Sequence, residues 1–161
     1  MAETIEAVAI GLVLAAMAVV DARRRIIPNE LVVALLAVRA ARLLLAVPTG
    51  AAGPLLVASL AGFLAVAAVL ALLAGVSRLL RIADGLGGGD VKLFCALGAC
   101  LGAGRALAVI LGACVAGVAL AAVMSARQGE KPSALRTFPF APPTLVSYVL
   151  VTCHAALFGA L

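Results

Sequence analysis

Tryptophan is absent from this chain, tyrosine occurs once, and no stretch interleaves aromatic with basic residues, so a net charge of +5 does not suggest nucleic acid as a partner. The four cysteines, Cys95, Cys100, Cys114 and Cys153, lie in apolar runs with no C-x-x-C pair among them. Neither a zinc knuckle nor a disulfide framework is indicated, and the four read as small packing residues. The one histidine, His154, has no Cys, Asp or Glu at ligand spacing, which argues against a metal site. A serine protease is disfavoured as well, because there is no G-x-S-x-G motif and no serine partner for His154.

Charge is scarce too: only 12% of residues are charged, against 66% hydrophobic residues and a mean hydropathy of +1.28. That balance is far from a soluble domain and belongs in a lipid bilayer. A spanning helix needs roughly 20 apolar residues, and the apolar runs leave room for about six, with no space for a soluble domain beside them. The expected fold is all-α, a single membrane domain over residues 1–161 built as a bundle of about six transmembrane helices. Glu3 and Glu6 stand where a cleaved signal peptide would carry basic residues, so the first apolar run is expected to be the first helix.

The punctuation predicts where the helices fall. The first covers about Thr4 to Val20 and is followed by Asp21 and the Arg23-Arg24-Arg25 triplet. Pro28 disfavours helix at Ile27, and Asn29 suits a cap, so the second helix is expected from Asn29 to about Val47. The third runs from about Leu55 to Val76, the fourth is short and starts near Asp90, the fifth spans about Ala106 to Ala126, and the sixth follows Pro142 and Pro143. Nine of the twelve basic residues then fall on one side, with Arg39, Arg42 and Arg105 the exceptions. The positive-inside rule makes that side cytoplasmic and both termini external. Small residues at four-residue spacing, Gly98 with Gly102, Ala58 with Gly62 and Ala113 with Gly117, would let helix backbones approach closely.

Aspartate occurs three times, as Asp21, Asp84 and Asp90, always at the predicted cytoplasmic ends of helices or in the loop beside one. A carboxyl set against apolar helices is costly unless paired or put to use. Two brought to one site cannot both be charged cheaply; one keeps its proton and the other stays ionised, giving a general acid and a general base that can activate water on a peptide carbonyl. Plainer roles are open to each alone: Asp21 neutralised by Arg23 to Arg25, Asp90 as an N-cap, Lys92 facing solvent, and the prolines shaping a loop. Gly87 to Gly89 would admit the close approach of another backbone, such as an extended peptide.

Taken together, Gly87-Gly88-Gly89-Asp90-Val91-Lys92-Leu93 resembles the G-x-G-D-x-K-L signature of type IV prepilin peptidases, membrane aspartyl proteases of the GxGD group. Asp21 followed by Ile27-Pro28-Asn29 resembles that family's first aspartate and I-P-N element, and Phe138-Pro139-Phe140-Ala141-Pro142 its P-F-x-P segment. The resemblance implies a catalytic pair Asp21 and Asp90, with Gly87, Gly89, Lys92, Pro28, Asn29, Pro139 and Pro142 shaping the site or binding substrate. It implies a type IV or Flp-type prepilin as partner, cut behind its short basic leader at the cytoplasmic face of a bacterial inner membrane, without metal or other cofactor. The short architecture resembles the tight-adherence pilus peptidases and lacks the cysteine-bearing insert and extra domain tied to N-methylation, so methyl transfer is not expected. Within the pair, Asp21 near a helix C-terminus is expected to hold the proton more often than Asp90 at a helix N-terminus.

Arg39 and Arg42 lie three apart on one helix face, with Arg39 near mid-run, and are expected to be paired or structural. Asp84, between Arg81 and Gly85, fits a solvated ion pair better than a third site carboxylate. The competing class is a small transporter or assembly subunit whose carboxylates carry protons or a cation; its site should lie near the membrane midplane rather than at one face.

Overall fold

Each apolar run folds as a helix. The computed structural model describes residues 2–80, 87–128 and 140–159, and these form α1 (Ala2–Arg24), α2 (Asn29–Ala46), α3 (Ala52–Leu80), α4 (Gly88–Leu101), α5 (Ala103–Gln128) and α6 (Ala141–Phe158), with no strand among them. Three are long and apolar enough to cross a membrane, at Ala2–Arg24, Ala52–Leu79 and Ala103–Leu120, so the chain is a multi-pass membrane protein. The expected all-α bundle of about six helices is present, and its members differ in length and charge. At 1.5 Å per residue α2 and α6 each reach about 27 Å and α4 about 21 Å, against a hydrocarbon core of about 30 Å, and α2 also carries Glu30, Arg39 and Arg42.

The shortest helix is the most enclosed. Packed against α2, α3 and α5, α4 buries Leu93 through Gly98 without interruption, so it needs no polar face. The long helices instead turn side chains such as Leu72, Val115 and Val118 outward, an apolar surface suited to lipid. Where α3 crosses α4, a Cβ on Gly98 would stand 2.6 Å from the Gly62 carbonyl oxygen, and one on Gly62 would strike the Gly98 carbonyl. Only glycine at both positions permits this backbone contact, which uses two of the small residues that the spacing singled out.

Along α1 the buried residues Ile10, Leu14, Met17, Ala18 and Asp21 form one stripe of helical period, facing α2 and α6. The helix runs past the expected end at Val20 and stops after Arg24. There Arg25 takes a left-handed φ of 53° and donates its N–H to the Asp21 carbonyl at 2.8 Å, which releases the chain toward Pro28.

At the opposite end of α1, Arg39 is paired as expected. Its Nη1 meets Glu6 at 2.9 Å, its Nε donates to Ser59 Oγ at 2.7 Å, and its Nη2 donates to the Leu55 carbonyl at 3.3 Å. One guanidinium thus ties α2 to both α1 and α3. Tyr148 adds a bond from α6 to α1, its hydroxyl donating to the Ala7 carbonyl at 2.8 Å.

Candidate active site

The period of α1 decides where Asp21 points. It is the next member of the stripe after Leu14 and Met17, so it turns inward and is only 5% exposed, while Arg23, Arg24 and Arg25 stay on the surface. None of those arginines forms an ion pair with it, and the neutralised-carboxylate role is set aside. Its partner is a backbone group. The Ala141 N–H, at the start of α6, donates to Asp21 Oδ2 at 2.9 Å.

Why Ala141 carries that bond follows from the next two residues. The first turn of a helix leaves its N–H groups without intrahelical partners. In α6 the two residues after Ala141 are Pro142 and Pro143, which have no N–H. Ala141 is the free donor there, since Thr144 already donates to the Phe140 carbonyl at 3.2 Å. The N-terminal end of α6, with its positive dipole, therefore rests on the Asp21 carboxylate.

Asp90 comes from the other side. Helix α4 begins at Gly88 with Gly87 as its cap residue, so Asp90 sits in the first turn rather than at the cap position. Its carboxyl is freed from capping. It is half-buried and lies outside the three spanning segments. Burial, and then the charge of Asp21, push its pKa from 3.8 up to about 6. That second cause puts the two carboxyls within electrostatic reach of each other. A chain of contacts does the aligning: Phe94, one turn after Asp90, meets Phe140 edge-on with ring centroids 5.7 Å apart, and Phe140 precedes the Ala141 that holds Asp21. Asp90 therefore holds its proton to higher pH than an ordinary aspartate does.

The remaining predicted residues that are described gather at the same end. A Cβ on Gly87 would lie 3.0 Å from Asp90 Oδ2, and one on Gly89 3.3 Å from Ile27 Cβ, so both glycines make room for the pair and its surrounding loop. Pro28 is the cap residue of α2, its carbonyl accepting from Leu31 at 3.2 Å and Val32 at 3.4 Å. Asn29 is already helical and is not the cap; its Oδ1 accepts from Lys92 Nζ at 3.2 Å and so bridges α2 to α4. Pro142 helps start α6, whereas Pro139 and Asp84 lie outside the described residues. The Ala141 N–H and the Phe94–Phe140 contact were not anticipated. The adjacent prolines were the available signal, because they strip a helix start of all but one donor.

Comparison with family models gives a match over residues 8–122 to the type IV leader peptidase family, a range that holds Asp21 and Asp90 and stops short of α6. Comparison with curated proteins and with solved structures returned no match.

Proposed function

The chain belongs to the type IV leader peptidase family, and from that premise we propose that it is an aspartyl endopeptidase working through Asp21 and Asp90 at the cytoplasmic face of a bacterial inner membrane. The observation that carries this reading is an inward-facing Asp21 held by the Ala141 N–H, with a half-buried Asp90 at the start of α4 within electrostatic reach of it. Ionised Asp21 takes a proton from water as that water attacks the scissile carbonyl carbon, and Asp90 gives its proton to the carbonyl oxygen. The tetrahedral product then collapses: the C–N bond breaks, the proton on Asp21 passes to the leaving nitrogen, and the hydroxyl proton returns to Asp90. No net proton is gained or lost by the pair, so it is ready for the next substrate.

The substrate fitting this site is a type IV or Flp-type prepilin with a short basic leader ahead of an apolar helix. Exposed Gly87 and Gly88 beside half-buried Asp90 leave backbone-level access for an extended peptide. The exposed arginines after α1 support a cytoplasmic location for this end. Both carboxyls belong to terminal turns of their helices, which suits a peptidase better than a transport site near the midplane. The test is cleavage of such a precursor by the purified protein in detergent. Cleavage should stop with either Asp21→Asn or Asp90→Asn, and near-normal turnover by either variant at matched expression overturns the reading.

A further inference from the structure

The bundle has a second polar site. At the end away from Asp21, about 22 Å along α1 from it at 1.5 Å per residue, a cavity of about 250 Å³ is lined by Glu6, Arg39, Arg42 and Arg105. Glu6 and Arg39 satisfy each other, but the other two cations do not find full partners. Arg42 Nε is buried with no hydrogen bond, and its approach to Glu6 at 3.7 Å is too long for one. Arg105 has neither a hydrogen bond nor an ion pair among the described residues. Glu3, which is exposed, also lines the cavity and can compete for these cations.

We propose that this cavity binds the phosphate of an anionic phospholipid headgroup, held between Arg42 and Arg105. Two guanidinium groups with free donors match the oxygens of a phosphate, and a buried donor without a partner is costly until something accepts from it. The cavity lies among helix termini, near the start of α1 and of α5 and the end of α4, at the level where headgroups meet the hydrocarbon. Ile10, Leu55 and Val151 give it an apolar wall for the glycerol and first acyl carbons, which a free phosphate would leave uncovered. Basic pockets between membrane helices are a recurrent form of anionic-lipid site. Its role is separate from peptide cleavage, because it shares no residue with the Asp21 and Asp90 site.

The experiment uses the full chain, purified in detergent and stripped of lipid, titrated separately with phosphatidylglycerol, phosphatidylcholine and inorganic phosphate. Native mass spectrometry reads bound lipid, and thermal unfolding reads stabilisation. One phosphatidylglycerol should be retained and should raise the unfolding midpoint, with phosphatidylcholine bound at least about tenfold more weakly, because its choline cation is repelled by Arg42 and Arg105. Arg42→Gln and Arg105→Gln should each weaken phosphatidylglycerol binding by about tenfold, and Glu3→Gln should tighten it. Arg105 is exposed and unpaired, so its variant remains informative even where Arg42→Gln fails to fold. Equal retention of the two lipids, or unchanged binding in Arg105→Gln, overturns the proposal; so does stabilisation by inorganic phosphate without any by phosphatidylglycerol, which would assign the cavity to a free anion.

Discussion

Two carboxylates sit on the inward stripe of α1, Glu6 near its start and Asp21 in its last turn, and their surroundings are opposite. Glu6 meets Arg39 at 2.9 Å and Arg42 at 3.7 Å, a neutralised cluster that joins α1 to α2. Among the described residues Asp21 forms no ion pair and receives only a backbone N–H, although three arginines follow it within four residues. On the mechanism proposed above, the difference separates a carboxylate used for assembly from one kept for chemistry. A cation close to Asp21 would hold its negative charge too firmly for the proton exchange proposed here, whereas a backbone donor orients the group without adding a full charge.

The largest expected effect tests that separation directly. Asp21→Asn and Asp90→Asn should lower cleavage of a prepilin precursor by at least about a thousandfold, because an amide cannot exchange the required proton. Glu6→Gln should leave turnover per folded molecule within about twofold but destabilise the fold by about 3 kcal/mol, because Arg39 is left buried with half its ion pair missing. The paired measurements are cleavage at matched membrane expression and thermal unfolding in detergent. A stable but inactive Glu6→Gln would break the comparison.

What the sequence made legible divides along similar lines. All six helices were visible as apolar runs, with the start of α2 found at Asn29 itself, because Pro and the charged residues punctuate the chain where the bilayer demands it. The pairing of Arg39 was legible as a necessity, but not its partner, since Glu6 stands 33 residues away and only the α1–α2 packing brings them together. At the candidate site the two aspartates were legible from motif and position. The Ala141 N–H that faces Asp21 was not, because it comes from 120 residues along the chain. Asn29 was likewise assigned to capping because local spacing suggests it, whereas its side chain accepts from Lys92 of another helix. Local signals fixed the elements, and the errors lie where a distant helix supplies the partner.

An intermediate effect concerns pH. Asp90 titrates at about 6 in the folded protein against 3.8 for the unconstrained group, so between those values the folded state binds the more protons. Stability should therefore fall as pH rises from about 4 to 6, with the cost fully present above that window. Asp90→Asn removes the cost: it should match the parent near pH 4 and exceed it above pH 6, by about 1 kcal/mol once solvent screening at a half-buried group is allowed for. Unfolding midpoints of both proteins at the two pH values check this. For the active protein, kcat/KM should decline as pH rises past about 6, where free enzyme loses the Asp90 proton. The two limbs of the profile belong to the coupled pair rather than to single residues. A variant that is less stable than the parent at pH 7 would show that Asp90 is bound by favourable contacts and is not held at a cost.

The smallest effects come from the three glycines before Asp90, and their order is informative. A Cβ on Gly87 would stand 3.0 Å from the Asp90 carboxyl and one on Gly89 3.3 Å from Ile27, but one on Gly88 would meet nothing within 4 Å. All three glycines adjoin the start of the same helix, so a loss due only to changed helix-start propensity would not follow this contact order. Gly87→Ala should lower cleavage by about tenfold, since the carboxyl must turn away from its aligned position and small misplacements of a reacting group are expensive. Gly89→Ala should cost about threefold through the shift it forces on Ile27, and Gly88→Ala should stay within about twofold of the parent, as an open site permits. The measurement is kcat for each variant at saturating precursor, with KM recorded separately, because displacement of a proton donor acts on kcat while loss of peptide access acts on KM. Equal losses at all three positions, or a loss confined to KM at Gly87, would mean that this run admits the peptide backbone and does not set the position of Asp90.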